Sequence, residues 1–324
     1  MKLLFILDPL EHLQAYKDTS VAMMRAAQAR GHEVYACEQD SLVTGFGPEA
    51  AKVSAVATRL RLTRNDDDWV RRGASARRRL REFDAVLMRK DPPFDMGYVT
   101  STWVLEAAER DGACVINSPR AVRDHNEKFA LAEFGRFAAP TLVSRAMADV
   151  HAFIDRQRDT VVKPLDGMGG TGVFRVRRDD PNRYAIVESV SGCGAKAIMA
   201  QRFIPEIVMG DKRVLLIGGK PADYVLARMA RPGEARANLA AGGKGVAQKL
   251  SRRDREIAES VGPALAARGL LLVGLDVIGE YITEINVTSP TCFREIQDQT
   301  GFDVAGMFLD AVEQRIKAGK RKAK

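Results

Sequence analysis

Apolar and polar positions follow two different periods along this chain, and glycine or charged punctuation marks where one gives way to the other. Lys2–Leu7, apolar without a break from Leu3, predicts a buried strand. Ser20–Arg30 repeats apolar residues at Val21, Met24 and Ala27, the spacing of one helix face. Gly31 suits the position just past that helix, and Thr19 or Ser20 suits its N-cap. Strand Glu33–Cys37, strand Ala85–Met88, helix Tyr98–Arg110 and strand Cys114–Ile116 continue the alternation, so residues 1–121 predict an α/β domain on a parallel sheet. The order then changes. Residues 122–203 predict a small α+β lobe: a helix around Asn126–Phe134, strand Thr141–Val143, helix Ala148–Arg158, and strands Thr160–Lys163, Val173–Val176 and Lys196–Gln201. In residues 204–324, Asp211–Ile217 and Tyr224–Arg228 form an antiparallel pair turned at Gly218-Gly219. Helix Arg252–Ala267, strands Leu270–Ile278 and Tyr281–Glu284, and helix Val304–Lys317 follow.

Chemistry enters at Val161–Gly172, VVKPLDGMGGTG, where Lys163 ends an apolar run and glycines follow. Glycine lets backbone N–H groups approach an anion closely, and an ammonium nearby adds a point charge for phosphate oxygens. Gly167, Gly169 and Gly172 satisfy G-x-G-x-x-G, yet Val173–Arg177 after them alternates as a strand, so no dinucleotide-type helix follows. The loop reads as a flap over phosphates. A glycine-rich hairpin turn fits the same letters, and Lys163 together with the C-terminal third tips the reading toward nucleotide phosphate. In that third, Leu270–Asp276 and Tyr281–Ser289 are apolar strands joined by Gly279-Glu280, a tight hairpin that brings Asp276 opposite Glu284 and Asn286. Acids in such strands need partners or a metal, and two carboxylates with one amide suit Mg2+, with Mn2+ as a substitute, better than zinc. The four histidines are scattered and support no zinc or triad chemistry.

Ligands of open α/β sheets sit at the carboxyl ends of strands. Two polar stretches occupy such ends, Asp8-Pro9 through Ser20 and Arg89-Lys90-Asp91-Pro92-Pro93, and Arg89 is the candidate anion ligand of the second. The net charge of +8 is concentrated in Arg59–Arg81, with nine arginines against three aspartates, and in Lys317–Lys324, with five basic residues. A surface helix and a frayed basic tail account for these, and no interleaved aromatics suggest nucleic-acid stacking, so no nucleic-acid partner is expected. Cys37, Cys114, Cys193 and Cys292 lack disulfide or zinc spacing, and no apolar run approaches the roughly 20 residues that span a bilayer. A cytoplasmic protein with reduced thiols and no membrane partner is expected.

Several segments together resemble the bacterial glutathione synthetases, a family of ATP-grasp ligases: LMRKDPPFD (87–95), RDHNEKF (123–129), VVKPLDGMGG (161–170), GDKRVLL (210–216), NLAAGGKG (238–245), VGLDVIG (273–279) and TEINVTSPTC (283–292). The resemblance implies a two-lobed ATP-grasp fold behind the N-terminal domain, and ATP-driven joining of γ-glutamylcysteine to glycine through an acyl phosphate. It makes Lys128 and Lys163 contacts of phosphate and adenine, and Gly167, Met168, Gly169, Gly170 and Thr171 the flap. Gln201, Arg202, Phe203 and Ile204 become the adenine hinge, and Asp211 the ribose ligand. Asp276, Glu284 and Asn286 match the family's magnesium ligands. Ser20, Arg89, Asn286, Ser289, Thr291 and Arg294 become dipeptide contacts, while Arg213 and Arg228 face the reacting phosphoryl or acyl group. A homotetramer is implied as well. The alternatives are another ATP-grasp carboxylate–amine ligase and, in a different class, a nucleic-acid-binding protein using residues 59–81 and 317–324.

Met229–Gly245, rich in glycine and poor in large apolar side chains, has the length and composition of a lid. Trimming it should raise ATP hydrolysis that is uncoupled from peptide-bond formation, measured as ADP released per product; an unchanged ratio removes the lid.

Overall fold

The computed structural model describes residues 1–47, 52–231, 237 and 242–322. Most of the expected lid, 232–236 and 238–241, therefore lies outside the described residues. The chain runs β1 (Lys2–Leu7), α1 (Thr19–Ala29), β2 (Glu33–Glu38), β3 (Ser54–Leu62), β4 (Val70–Arg79), β5 (Ala85–Met88), α2 (Met96–Arg110), β6 (Val115–Ile116) and α3 (Pro119–Asp124). It continues with β7 (Thr141–Ser144), α4 (Met147–Gln157), β8 (Asp159–Pro164), β9 (Phe174–Arg177), α5 (Arg183–Ser191) and β10 (Ile198–Arg202). The last part holds β11 (Asp211–Ile217), β12 (Lys220–Pro221), β13 (Tyr224–Met229), β14 (Lys244–Lys249), α6 (Arg252–Ala267), β15 (Leu272–Ile278), β16 (Tyr281–Asn286), α7 (Phe293–Thr300) and α8 (Val304–Lys322).

Three sheets result. The first, ordered β4-β3-β2-β1-β5-β6, is parallel from β2 to β6 and antiparallel at β3 and β4. That antiparallel edge corrects the surface helix expected for Arg59–Arg81. The period there is two: Leu60 and Leu62 of β3 are buried while Arg59 and Arg61 are not, and β4 is exposed along nearly its whole length. The second sheet, β7-β10-β8-β9, is antiparallel, with α4 and α5 packed on it. The third runs β14-β13-β11-β15-β16, and β12 adds to β11.

Other local readings need correcting. Asp18, rather than Thr19 or Ser20, caps α1, because its carboxylate accepts the Val21 N–H at 2.8 Å. The helix expected at Asn126–Phe134 is a 3-10 segment over Phe129–Phe137, with Lys128 just before it, where the Asn126 side chain accepts the Lys128 and Phe129 N–H groups. Helices α3, α5 and α7 and strands β3, β4, β12 and β14 have no counterpart in the sequence pattern.

Alternate residues of β1 serve opposite faces. Leu3, Phe5 and Leu7 join Val21 and Met24 of α1 with Phe308 and Val312 of α8; Leu4 and Ile6 join Tyr98 and Leu105 of α2. Both cores continue into the third sheet, through Leu215, Ile217 and Leu272 on one side and Val214, Leu216 and Leu275 on the other. The second sheet has a separate core of Val150, Phe153, Ile154, Val162, Val176, Val187, Ile198 and Ala200.

Asn117 clips the first sheet to the third. Its Nδ2 donates to the carbonyls of Leu272 (2.7 Å) and Val287 (2.9 Å), and its Oδ1 accepts the Leu272 N–H (2.9 Å). Asn117→Ala should leave those buried backbone groups without partners and cost on the order of 2–4 kcal/mol, read as a lowered urea midpoint.

Candidate active site

The second and third sheets face each other across a cleft lined by residues of both. Apolar walls come from both sides: Val161 and Val173 from the second sheet's strands and loop, Ile204, Ile207 and Ile278 from below. Lys128, Lys163, Gly167, Met168, Gly169, Gly170, Gln201, Arg202, Phe203, Ile204, Asp211, Asp276 and Glu284 all line it. A cleft with apolar walls that also holds ammonium groups suits a planar base and its phosphates.

The glycine loop joins β8 to β9, two antiparallel strands, as the alternation of Val173–Arg177 requires. Gly169, Gly170 and Gly172 take positive φ, and a Cβ on Gly167 would lie 2.8 Å from Pro164 Cγ. Thr171 turns within the loop, its N–H donating to the Met168 carbonyl at 3.0 Å, and does not line the cleft. Below the loop, Lys128 Nζ donates to the Gly167 carbonyl at 2.7 Å. At the far end of the slot the Gln201 side chain donates to Thr141 Oγ1 (2.9 Å), and the Arg175 guanidinium lies 3.6 Å from the Phe203 ring centroid while bonding Asp159. Those contacts fix Phe203 to the strand that leaves the flap.

β15 and β16 meet at a two-residue turn, Gly279 (φ +56°) and Glu280, between paired Ile278 and Tyr281. That register sets Asp276 directly opposite Glu284 and Gly274 opposite Asn286. Like charges in such a position repel, and four cations offset them. Arg213 Nε and Nη2 donate to Asp276 at 2.5 and 3.1 Å, and Arg228 Nη2 reaches Asp276 at 2.9 Å and Asp211 at 2.6 Å. Lys163 and Lys128 approach Glu284 at 3.3 and 3.6 Å. Burial alone would raise the Asp276 carboxyl, but Arg213 and Arg228 hold it well below the usual carboxylate range. Burial likewise opposes ionised Glu284, which Lys163 and Lys128 keep below its ordinary value. Asp211 goes the other way: burial pushes it up to about 6 despite Arg228, with the Asp276 charge adding to the rise. Asp211 Oδ1 is buried without a hydrogen-bond partner in the cleft.

Two carboxylates and an amide form a hard oxygen donor set. Asn286 Nδ2 donates to the Gly274 carbonyl at 3.3 Å, so its amide oxygen is the ligand atom left on offer. The set fits a divalent cation of the magnesium class that also binds phosphate oxygens. Among the described residues no group of three or more His, Cys, Asp or Glu side chains gathers in a metal-binding arrangement.

A second cavity adjoins the first and shares Met168, Gly169, Asp276 and Glu284 with it; Arg213, Arg228, Asn286, Ser289 and Thr291 line it. Ser20, Arg89 and Arg294 line neither. Arg89 is buried behind the second cavity, donating to Ser20 Oγ (3.2 Å) and the Pro290 carbonyl (3.0 Å), with Nη1 unpartnered. Arg294 instead pairs with Asp66 and Asp298, each at 3.5 Å. Glu127 and Asp91 line the second cavity and were missed as site residues, although both stand beside charged residues that the sequence reading had singled out.

A slot between two α+β lobes, lined by a glycine loop and by a facing carboxylate pair, defines an ATP-grasp ligase. The pattern of the prokaryotic glutathione synthetase N-terminal domain matches residues 1–123, and that of the prokaryotic glutathione synthetase ATP-grasp domain matches 127–301. The chain therefore belongs to the prokaryotic glutathione synthetase family. It is 55% identical over 320 residues to a glutathione synthetase of Ralstonia nicotianae, covering 99% of this chain and 97% of the relative. Over 314 residues it is 56% identical to one of Bordetella parapertussis, covering 97% and 99%. Among solved structures, a D-cycloserine synthetase superposes with a TM-score of 0.67 at 16% identity, over 97% of this chain and 99% of the other, which supports the fold.

Asp276→Asn should strand Arg213 as a buried charge and leave Arg228 with Asp211 alone, at a cost of roughly 3–5 kcal/mol near neutral pH. Because the folded carboxyl holds its proton less tightly than the unfolded one, the aspartate's contribution is complete above the unfolded range and is lost as pH falls through it toward the folded value. Denaturant curves of variant and parent should accordingly converge in strong acid.

Proposed function

We propose that the chain joins the cysteinyl carboxylate of γ-glutamylcysteine to the amine of glycine, using ATP, to give glutathione, ADP and phosphate. The observation that carries this reading is the junction of the two cavities. Met168, Gly169, Asp276 and Glu284 border both, so a nucleotide's terminal phosphate in one and a carboxylate in the other would meet at a single point. Domain boundaries near 121/122 and 203/204 suit this division of labour, as do a cytoplasmic location and a homotetramer carried over from the family. No helix among the described residues is long and apolar enough to cross a membrane.

Two anions must come together, and their repulsion is the main obstacle. In this reading Arg213 and Arg228, now held by Asp276 and Asp211, turn part of their donor capacity to the acyl carboxylate and the transferring phosphoryl group. Lys163 and Lys128 bind phosphate oxygens from the opposite side, and the glycine loop closes above them. Gln201, Arg202, Phe203 and Ile204 hold the base, with Asp211 offering its unpartnered oxygen to the ribose. Asp276, Glu284 and Asn286 would hold Mg2+ or Mn2+, which supplies charge neutralisation on the phosphates. Ser289 and Thr291 offer hydroxyls to the dipeptide, and Ser20 acts through Arg89, whose buried guanidinium orients the Pro290 carbonyl and the loop carrying both hydroxyls. The role carried over for Arg294 would require it to leave Asp66 and Asp298. The attacking carboxylate gives an acyl phosphate, the amine displaces phosphate, and the protein excludes water meanwhile.

Pure protein mixed with ATP, magnesium, γ-glutamylcysteine and glycine should produce ADP and glutathione in equal amounts. Turnover that required a different acceptor pair would overturn the substrate assignment. Glu284→Gln should lower kcat by a factor of at least about a hundred, the usual scale for losing one preorganised electrostatic element, while circular dichroism stays unchanged.

A further inference from the structure

The second cavity must also admit an amine that arrives as a cation, although two guanidinium groups, Arg213 and Arg228, line it. An ammonium entering beside them needs an anion with spare capacity. Two of the cavity's carboxylates have little: Asp276 is held by Arg213 and Arg228, and Glu284 by Lys163 and Lys128. Asp91 is exposed at the rim and accepts the Ser289 hydroxyl.

Glu127 differs from all three. It is partly buried, and among the described residues its carboxylate has one polar partner, the neutral hydroxyl of Thr288, which donates to Oε1 at 3.0 Å. Its backbone is pinned where the reaction occurs, because the Glu127 carbonyl accepts the N–H of Ile285, the residue between Glu284 and Asn286, at 2.8 Å. Burial, and next the Glu284 charge, push the Glu127 carboxyl above its ordinary value. A bound cation would relieve both penalties at once.

Building on the ligase reading above, we propose that Glu127 captures the ammonium group of the incoming amino acid and sets its nitrogen beside the acyl centre, with Thr288 fixing the carboxylate for that contact. The ligand class is a small primary amine carrying its own carboxylate, so the cavity's arginines attract one end of the substrate and Glu127 the other. Selectivity against uncharged nucleophiles, water included, follows from the same contact.

The test is steady-state kinetics of Glu127→Gln with ATP and γ-glutamylcysteine saturating. A lost charge-assisted contact should raise KM for glycine about ten- to a hundredfold, while KM for ATP and for the dipeptide moves less than about twofold. Hydroxylamine, uncharged at neutral pH, should trap the activated acyl group as hydroxamate at the parent's rate in the variant. An unchanged glycine KM overturns the proposal, as does a common rise in all three KM values or a parallel loss of hydroxamate. Should Glu127→Gln fail to fold, Glu127→Asp takes its place, with a glycine-specific KM rise expected and its absence overturning the proposal. A glycine-specific effect of Asp91→Asn without one at Glu127 would move the role to Asp91. If the parent protein itself makes no glutathione, the ligase reading falls first, and this inference with it.

Discussion

Facing carboxylates across one hairpin set the terms for the rest of this molecule. Asp276 and Glu284 occupy paired positions of β15 and β16, where neither charge can be tolerated alone in a sheet this apolar. Their compensation comes from four separate places: Arg213 on β11, Arg228 on β13, Lys163 on β8, and Lys128 beside the segment that links the first domain to the second sheet. Bringing those four to one point requires β11 next to β15, β13 next to β11, and the second sheet set above the hairpin. The pattern of sheets is thus the pattern of charges. With Asp211 included, four cations meet three carboxylates, and the positive excess is what a phosphate-bearing ligand finds.

How far this was visible in the residue pattern depended on how local the physics was. The β15–β16 hairpin was legible because Gly279-Glu280 separates two apolar strands, but counting from that turn sets Asp276 opposite Thr283, and a β-bulge between Asp276 and Val277 brings it opposite Glu284 instead. Lys163 and the glycine loop were legible for a similar reason. Arg59–Arg81 was misread because arginine tolerates a helix well, and the alternation of Leu60 and Leu62 lies in only half of the segment. α7 escaped because it starts at Cys292 in a left-handed conformation with no side-chain cap to announce it. Glu127 and Asp91 could not be found by spacing at all; their position depends on contacts between segments far apart in sequence, with Glu127 lying against Ile285 and Asp91 against Ser289.

The division of cores separates what must stay fixed from what must admit a ligand. The first and third sheets share two continuous apolar layers and are further clipped by Asn117, so the carboxylate hairpin stands on the most thoroughly buried part of the chain. The second sheet, which carries the flap, keeps a small core of its own. Met199, with Val143 and Leu165, also joins it to the larger core, while polar contacts, Lys163 to the Thr283 carbonyl and Arg202 to Tyr281, cross the cleft itself. Contacts of that kind weaken and reform at lower cost than apolar burial, which suits a roof over a reaction that has to open for product.

The arginine-rich strand β4 ends the first sheet, and its outer side offers backbone groups with no neighbouring strand among the described residues. A second copy approaching that edge in antiparallel fashion would bring Arg71 and Arg72 against Arg77, Arg78 and Arg79; Asp68, Glu11 and Glu82 offset Arg71, Arg72 and Arg78, and the charge of Arg77 and Arg79 is left to oppose pairing. The opposition weakens as ionic strength rises, which makes the edge a salt-tuned barrier to sheet growth between molecules. In a crowded solution such a strand would act as a colloidal spacer, working against continuation of the first sheet into a neighbouring copy at this edge.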